Sequence, residues 1–254
     1  MVNILLTGCN GRMGKAVAES VSNNQNCSIV AGIDVNATHQ SYDFPTFIST
    51  DDFSGKCDVI VDFSHHTATE GLLNYAKAND LPIVIATTGH TPEETAAIND
   101  AAKYIPVFYS RNMSLGINLL IALATKVAAS LGTSFDIEII EKHHNQKLDA
   151  PSGTALMIAD ALKDVRSCET EYVYDRHTLH QKRKAEEIGI HAIRGGTIVG
   201  EHDVLFAGKD ETITLSHSAS SRNVFAEGAV RAAEFIVGKK AGMYNMNDVV
   251  NSVI

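Results

Sequence analysis

The chain has 254 residues, of which 44% are hydrophobic and 20% charged, so it has the composition of a globular protein and the length for one large or two modest domains. Its formal net charge of -9, with no compensating basic stripe, argues against a nucleic-acid partner. The four cysteines show no paired spacing and Met1–Asn3 lacks the basic start of a signal peptide, so we expect a cytoplasmic protein.

The longest apolar run is Leu115–Ala124, which is interrupted by Asn118 and ends before Lys126. This run is shorter than the roughly 20 residues that a membrane-spanning helix requires. We therefore predict that the protein does not associate with a membrane.

The N-terminal residues have the pattern of a dinucleotide-binding unit. Ile4–Thr7 predicts a short buried strand, Gly8–Gly14 is a glycine-rich loop, and Lys15–Val21 predicts a helix. A strand, a glycine loop and a helix in this order give a dinucleotide fingerprint its structural context. The spacing is G-x-x-G-x-x-G, with Asn10 in place of the usual second glycine. Asparagine tolerates a positive φ better than most residues, which makes the replacement acceptable.

Asp34 follows a predicted second strand, Ser28–Ile33, and lies twenty residues after Gly14. An acidic residue at this place accepts hydrogen bonds from the adenosine ribose hydroxyls. The alternative is an ordinary aspartate at a turn. Val35 and Asn36 come next, so no arginine is present there to bind a 2′-phosphate. We therefore expect NADH to be used at least as well as NADPH.

Strands and helices alternate as far as residue 109. The predicted strands are Asp58–Phe63, Pro82–Ala86 and Pro106–Tyr109, and the predicted helices are Thr67–Asn79 and Pro92–Lys103. This spacing predicts parallel βαβ units, whose ligands lie at the carboxyl ends of the strands. The glycine loop, Asp34, Ser64–His65 and Thr87–Gly89 all fall at such ends. We interpret His65 and His66 as loop residues near the cofactor and not as catalysts.

The second candidate site is the run E-K-H-H-N-Q-K-L-D-A-P-S-G-T-A, Glu141–Ala155. Phe135–Ile140 predicts a strand that ends at the two histidines, and Pro151–Thr154 leads into a predicted helix. Lysine, histidine and a helix N-terminus together indicate a carboxylate or phosphate site. The alternative is a solvated histidine pair on the surface. We predict no metal site, because neither a cysteine nor an acidic ligand falls at zinc spacing with the pair.

This run resembles the signature of the 4-hydroxy-tetrahydrodipicolinate reductases, formerly called dihydrodipicolinate reductases, which are nicotinamide-dependent enzymes of diaminopimelate and lysine biosynthesis. The resemblance extends to Ala86–Gly89, to R-G-G-T-I-V-G-E-H at Arg194–His202 and to H-S-A-S-S-R-N-V-F-A-E-G-A-V-R-A-A at His217–Ala233. It implies an α/β fold with a Rossmann-like, discontinuous dinucleotide-binding domain of residues 1–112 and 223–254. Residues 113–222 would then form a smaller α+β domain with an open mixed sheet, for substrate binding and tetramerisation.

The resemblance also implies the reaction, which is reduction of 4-hydroxy-tetrahydrodipicolinate to tetrahydrodipicolinate by NADH or NADPH. His143 matches the family's acid/base residue and Lys147 its essential cation. His144 and the amides of Gly153 and Thr154 are suited to the carboxylates of a small dicarboxylate substrate. The family assembles as tetramers, so we expect a homotetramer.

By the same match, the cofactor-binding residues lie in four loops: Gly8, Cys9, Asn10, Gly11, Arg12 and Met13; Asp34; Ala86, Thr87 and Thr88; and Ser110, Arg111, Asn112 and Met113. Two stretches depart from the family pattern. His65–His66 replaces the usual Arg-Pro, and Ser110–Arg111 replaces an Ala-Pro-Asn type of start.

The rest of the chain predicts secondary-structure elements that carry no candidate catalytic or binding residue. Leu115, Leu119, Leu123, Val127 and Leu131 recur at i+4 intervals, which predicts an apolar helix stripe packed under a sheet. Residues 167–184 are polar and predict no element. The last predicted elements are strands at 190–197, 199–206 and 212–217 and an amphipathic helix at 223–237.

Two other functions remain open at this point. A Schiff-base lyase using Lys147 would not need Asp34 and the glycine loop. A redox sensor that binds a dinucleotide without turnover would not need His143 and Lys147 beside a helix start.

Overall fold

The computed structural model describes residues 1–36, 42–166 and 168–253. The chain divides into two compact units, Met1–Leu115 with Arg222–Ile254 and Gly116–Ser221. The first unit is therefore built from both ends of the chain.

In the described residues the strands are β1 (Val2–Thr7), β2 (Cys27–Ile33), β3 (Thr46–Phe47), β4 (Val59–Asp62), β5 (Ile83–Ile85), β6 (Pro106–Tyr109), β7 (Asp136–His143), β8 (Glu171–Val173), β9 (Glu187–Arg194), β10 (Gly200–Ala207), β11 (Thr212–Ala219) and β12 (Gly242–Tyr244). The α-helices are α1 (Arg12–Ser22), α2 (Thr69–Ala78), α3 (Pro92–Ala101), α4 (Leu115–Leu131), α5 (Gly153–Val165), α6 (Asn223–Ile236) and α7 (Met246–Val253).

The first unit contains a seven-stranded sheet in the order β12-β6-β5-β4-β1-β2-β3, and all of its pairings are parallel. Side chains of α1, α6 and α7 pack on one face of the sheet, where Ile4 and Leu6 of β1 belong to the same core cluster. Side chains of α2 and α3 pack on the other face with Leu5. The central strands are apolar at successive positions because both of their faces are buried.

The second unit contains a five-stranded mixed sheet in the order β11-β10-β7-β9-β8. The central strand β7 pairs antiparallel with β10 and parallel with β9. Helices α4 and α5 cover one face, against alternate residues of β7 such as Ile137 and Ile139. The predicted fold class, a Rossmann-like parallel-sheet domain with a smaller α+β domain and an open mixed sheet, is confirmed.

The predicted stripe on α4 is wrong in its phase. Leu115, Leu119 and Leu123 are exposed by 37%, 39% and 42%, whereas the buried face carries Ile117, Asn118, Leu120, Ile121, Ala124 and Ala128. The helix is apolar nearly all round, so an i+4 series of leucines does not identify the face that meets the sheet. Val127 and Leu131 do contact the core cluster of the second unit.

The same helix also corrects the prediction about apolar length. Leu115–Ser134, 20 residues, is long and apolar enough to cross a membrane by length and composition alone. One face of α4 is buried in the core of the second unit.

Three short strands were not predicted from the sequence. β3 and β12 extend the two edges of the first sheet, and β8 lies within the polar segment 167–184, of which Ser167 is outside the described residues. Strands of two or three residues carry too few alternations to be distinguished from loops.

Candidate active site

A cleft of about 1330 Å³ lies in the first unit at the carboxyl ends of β1, β2 and β4. Its lining includes Gly8, Asn10, Gly11, Asp34 and His65. These residues come from loops that are far apart in sequence, and the parallel sheet brings their strand ends to one edge. The cleft is therefore the candidate dinucleotide site.

The backbone of the glycine loop fits a bound dinucleotide. Gly8 has a φ of +72°, and a Cβ built on it would lie 2.4 Å from the carbonyl oxygen of Phe63, so only glycine is accommodated. Gly11 is the N-cap of α1, and no side chain caps the helix start. The N–H groups and the positive dipole end of α1 are thus available for an anion such as a pyrophosphate.

Asp34 has two roles in this cleft. Its Oδ2 accepts a hydrogen bond from the Asn10 N–H at 2.9 Å, and its Oδ1 accepts one from the Asn36 N–H at 2.9 Å. The carboxylate therefore braces the glycine loop while also lining the cleft. The described lining residues include a second carboxylate, Asp51, and no lysine or arginine. The cleft is accordingly unfavourable to an additional phosphate charge.

The other predicted residues of the glycine loop have different environments. Cys9 is buried behind the loop, and burial, followed by the nearby Asp34 carboxylate, raises the pKa of its thiol to about 11. Arg12 is exposed at the first position of α1. The side chain of Met13 packs against the core. Any contact of Cys9 with a dinucleotide would therefore be made by its backbone.

A buried carboxylate, Asp62 at the end of β4, organises the loop after β5. Its Oδ1 accepts hydrogen bonds from the Thr7 hydroxyl at 2.6 Å and the Ser64 hydroxyl at 2.5 Å, and its Oδ2 accepts one from the Thr87 hydroxyl at 2.8 Å. The Ala86 N–H donates to the carbonyl of Asp62 at 3.0 Å. Three strand ends are thereby tied to one side chain, and the predicted cofactor residue Thr87 is buried.

The remaining predicted cofactor residues surround the ends of β5 and β6. Thr88 is exposed. Ser110 is buried and donates a hydrogen bond to the carbonyl of Asn112 at 2.9 Å, while Arg111 is exposed. The side chain of Met113 belongs to the hydrophobic core. The described residues that line the 1330 Å³ cleft do not include Thr88, Ser110, Arg111, Asn112 or Met113.

The second candidate site is built at the end of β7. Alternation along the strand turns Glu141 and His143 to the face covered by α4 and α5, and turns Lys142 to the opposite face. There Lys142 pairs with Glu201 at 2.9 Å and with Asp203 at 3.3 Å. Of the two lysines in the predicted motif, Lys142 thus lies on the face of the strand opposite to His143.

Glu141 is fully buried and accepts four hydrogen bonds. Arg194 donates from Nη1 to Oε2 and from Nη2 to Oε1, both at 2.7 Å, and the Ser152 N–H donates to Oε1 at 3.0 Å. His143 Nδ1 lies 2.6 Å from Oε2. Burial raises the pKa of Glu141, but the hydrogen bonds from Arg194, His143 and Ser152 outweigh it, and the pKa is lowered from its ordinary value.

The loop after β7 brings Lys147 to the same end of the sheet. Lys147 Nζ pairs with Asp149 Oδ1 at 2.9 Å, and its side chain is only 22% exposed. Arg194 Nη2 donates to the carbonyl of Asp149 at 2.7 Å, so the loop is tied to β9. The predicted residue His144 is half-buried at the start of this loop.

Helix α5 begins at Gly153 and directs its N-terminus into this region. Ser152 is the N-cap, and its hydroxyl accepts a hydrogen bond from the Ala155 N–H at 3.1 Å. The predicted residues Gly153 and Thr154 are therefore the first two helical positions, where the positive end of the dipole favours a carboxylate.

His202 of β10 completes the cluster and was not predicted. It is 4% exposed, its Nε2 lies 3.2 Å from the Ser152 hydroxyl, and its ring contacts that of His143 edge-on at a centroid distance of 5.3 Å. Burial, followed by the nearby His143, lowers the pKa of His202 to about 4. His202 is thus a neutral wall of the site near neutral pH.

Glu141 and Arg194 were also missed as functional residues, although both lie in stretches that resemble the family. A signal for Glu141 was present, because it continues the buried alternation Ile137, Ile139 and so takes a position that the pattern reserves for an apolar side chain. Among the described residues, no group of three or more histidine, cysteine or acidic side chains is placed to hold a metal ion.

Known proteins match this chain along nearly its whole length. The sequence model for the dihydrodipicolinate reductase N-terminus matches residues 2–113, and that for the C-terminus matches residues 116–250. The chain belongs to the dihydrodipicolinate reductase family. It is accordingly an oxidoreductase, and its family and Rossmann-like fold imply a nicotinamide cofactor.

Individual members of the dihydrodipicolinate reductase family show the extent of the similarity. A protein of Caldanaerobacter subterraneus subsp. tengcongensis, named 4-hydroxy-tetrahydrodipicolinate reductase, is 53% identical over 98% of both chains. Another of that name, from Clostridium tetani, is 49% identical over 99% of this chain and 98% of its own. The solved dipicolinate-bound dihydrodipicolinate reductase of Paenisporosarcina sp. TG-14 has a TM-score of 0.83 at 27% identity and covers 98% of this chain and 99% of its own.

Proposed function

We propose that the chain reduces 4-hydroxy-tetrahydrodipicolinate to tetrahydrodipicolinate, with loss of water, in diaminopimelate and lysine biosynthesis. The observation that carries this proposal is the 53% identity, over 98% of both chains, to a relative of that name. The clusters at the ends of β1 and β7 support it, because they would provide one binding site for a dinucleotide and one for a small dicarboxylate.

We assign the dinucleotide to the first unit and propose that NADH is used at least as well as NADPH. Gly8, Gly11 and the start of α1 would hold the pyrophosphate, and Asp34 would accept hydrogen bonds from the ribose hydroxyls. The carboxylates of Asp34 and Asp51 repel a 2′-phosphate, and no lysine or arginine among the described lining residues offsets them. When bound, the nicotinamide supplies the hydride.

We assign the substrate carboxylates to Lys147 and to the N-terminus of α5, with His144 beside them. The ammonium group and the helix dipole present positive charge in a partly buried place, where it attracts an anion more strongly than in water. Asp149 now holds Lys147 at 2.9 Å, so a substrate carboxylate would share this lysine or displace Asp149 from it.

We assign the proton to His143. Reduction with loss of water consumes one hydride and one proton, and an imidazole is the side chain best suited to donate a proton near neutrality. Glu141 accepts from Nδ1, which leaves Nε2 as the nitrogen that faces the reaction. A Cβ built on Gly200 would come within 3.1 Å of Nε2, so a side chain at this position would crowd the nitrogen.

We also propose a cytoplasmic homotetramer. Cytoplasmic location agrees with a biosynthetic family and with four free cysteine thiols. Helices α4 and α5 cover one face of the second sheet, while the other face carries half-buried Ile140 and Leu205 among ion pairs. A second copy could cover this face. Light scattering at micromolar concentration checks the assembly, and a monomer mass would contradict it.

The deciding experiment is coenzyme oxidation, followed by the loss of nicotinamide absorbance, with freshly generated substrate and with NADH and NADPH in turn. We expect substrate-dependent oxidation with both coenzymes and at least equal kcat/KM with NADH. Binding of either coenzyme without substrate-dependent oxidation would instead identify a dinucleotide-binding sensor.

A further inference from the structure

His143, the proposed proton donor, is held by the side chain of Glu141. Glu141 lies two residues before His143 on β7, is fully buried, and has no exposure through which water could satisfy it. A buried carboxylate is costly unless it is paired and hydrogen-bonded, so the partners of Glu141 indicate what its charge does.

The hydrogen bonds of Glu141 determine where the proton of His143 lies. Arginine and a backbone amide can only donate, so the three contacts from Arg194 and Ser152 stabilise Glu141 as an ionised acceptor and help to lower its pKa. The fourth contact, 2.6 Å from His143 Nδ1, therefore has its proton on the imidazole. Nε2 is then the nitrogen that changes its protonation state.

We propose that Glu141 is a positioning residue for the reaction: it fixes the tautomer and orientation of His143, while Arg194 holds the carboxylate in place. This inference rests on the proposed function, since it gives Glu141 its role through the proton transfer assigned to His143. A carboxylate behind an imidazole orients the ring and stabilises the cation that carries the transferable proton.

Arg194 extends the same arrangement to the substrate side. Its Nη2 donates both to Glu141 Oε1 and to the carbonyl of Asp149, which precedes the cis peptide bond Ala150–Pro151 by one residue. Glu141 Oε1 also accepts from Ser152, the N-cap of α5. Oε2 thus contacts His143, the proposed proton donor. Oε1 contacts Ser152, beside the loop and helix start where the carboxylate site is proposed.

This separation of contacts makes Glu141→Gln an informative change. The amide oxygen can replace Oε1 and keep its contacts with Ser152 and with Arg194 Nη2, while the amide nitrogen replaces Oε2, presents a donor to Nδ1 and gives up the contact with Arg194 Nη1. The ring must then accept at Nδ1, so the imidazolium form is opposed. We expect kcat to fall by about 10²–10³-fold, with KM for the substrate and Kd for dipicolinate within about threefold of the wild type.

The matched control is Glu138→Gln on the same strand. Glu138 also accepts from two arginines and one histidine, Arg176, Arg183 and His191, but it lies on the opposite face of the sheet. Its loss removes a comparable set of ion pairs without touching His143. We expect its kcat to stay within about threefold of the wild type.

A double-mutant cycle distinguishes positioning from a purely structural effect. In a His143→Ala background, Glu141→Gln should change kcat by less than about threefold, because the group through which Glu141 acts is gone. An equal loss of kcat in both backgrounds, or a dipicolinate Kd raised more than about tenfold with kcat little changed, would make Glu141 a structural residue and overturn the proposal.

The same measurements separate this proposal from the proposed function. A wild type that oxidises no coenzyme with the substrate removes the proposed function and the positioning role together. An active wild type, a slow His143→Ala and a Glu141→Gln variant within about threefold of the wild type would leave the function intact and overturn the positioning role alone.

Discussion

The buried, neutral His202 should make the free energy of unfolding fall at acidic pH. Burial lowers the pKa of His202 from an ordinary 6.5 to about 4 in the folded chain. Between these values the unfolded chain binds the proton and the folded chain does not, so stability falls as the pH falls from about 6.5 toward about 4. Above about 6.5 both states are neutral at this residue and its effect is absent.

The magnitude follows from the two pKa values. Each pKa unit corresponds to about 1.4 kcal/mol, and integration from about pH 7 to about pH 4.5 gives a loss of about 2 kcal/mol from His202 alone. His202→Gln removes this titration and keeps an amide near the Ser152 hydroxyl, which His202 now contacts at 3.2 Å. The variant should therefore lose about 2 kcal/mol less than the wild type over the same pH interval.

Urea unfolding followed by circular dichroism, at one protein concentration and several pH values, measures this difference. His177→Gln is the matched control, because it removes an exposed imidazole of the same unit and should lose as much stability as the wild type. Equal acid-induced losses in the wild type and in His202→Gln, within about 0.5 kcal/mol, would show that His202 is not held neutral by burial.

His143→Ala should lower kcat by about 10²–10⁴-fold with little change in KM, whereas Lys147→Ala should lower kcat and raise KM for the dicarboxylate, because only the lysine contact exists before the transition state. A near-normal kcat for His143→Ala in the coenzyme-oxidation assay would leave this histidine as a wall of the pocket. Asp34→Ala should weaken NADH binding more than NADPH binding in a fluorescence titration, since it removes an acceptor for the ribose hydroxyls and a charge opposed to the 2′-phosphate. A larger loss for NADPH would place Asp34 away from the ribose. Asp62→Ala should lower the free energy of unfolding by about 2–4 kcal/mol and weaken NADH binding, because three hydroxyl groups lose their buried acceptor. An unchanged urea midpoint and NADH affinity would contradict that role.

The local features of both candidate sites could be predicted from the sequence because each is carried by a short, continuous stretch. The glycine loop is a strand, a turn and a helix within about twenty residues, and its turn uses the positive φ of Gly8. The motif with His143 and Lys147 is similarly local, since a strand end and a helix start bound it on either side. Periodicity and turn chemistry operate at this range.

Hydrophobic periodicity does not predict the buried face where a helix is apolar on every side. The leucines of α4 recur at i+4, yet Leu119 and Leu123 are exposed and Ile121 and Ala124 are buried, because only the packed sheet selects a face. For Met113, too, the sequence does not predict where the side chain lies. Its place after β6 agrees with a cofactor loop, but its side chain belongs to the core.

The positions of Arg194 and His202 beside Glu141 and His143 were decided by the tertiary structure. β7 pairs with β9 in a register that sets His143 opposite Arg194, and with β10 in one that sets Glu141 opposite His202. Because side chains alternate along a strand, these two registers place all four residues on the same face, and a shift of one residue would separate them. Glu141 lies two residues from His143 on the same strand, whereas Arg194 lies 53 residues after Glu141 in sequence, so the local pattern places the histidine and its carboxylate together, and only strand pairing supplies the guanidinium that holds the carboxylate.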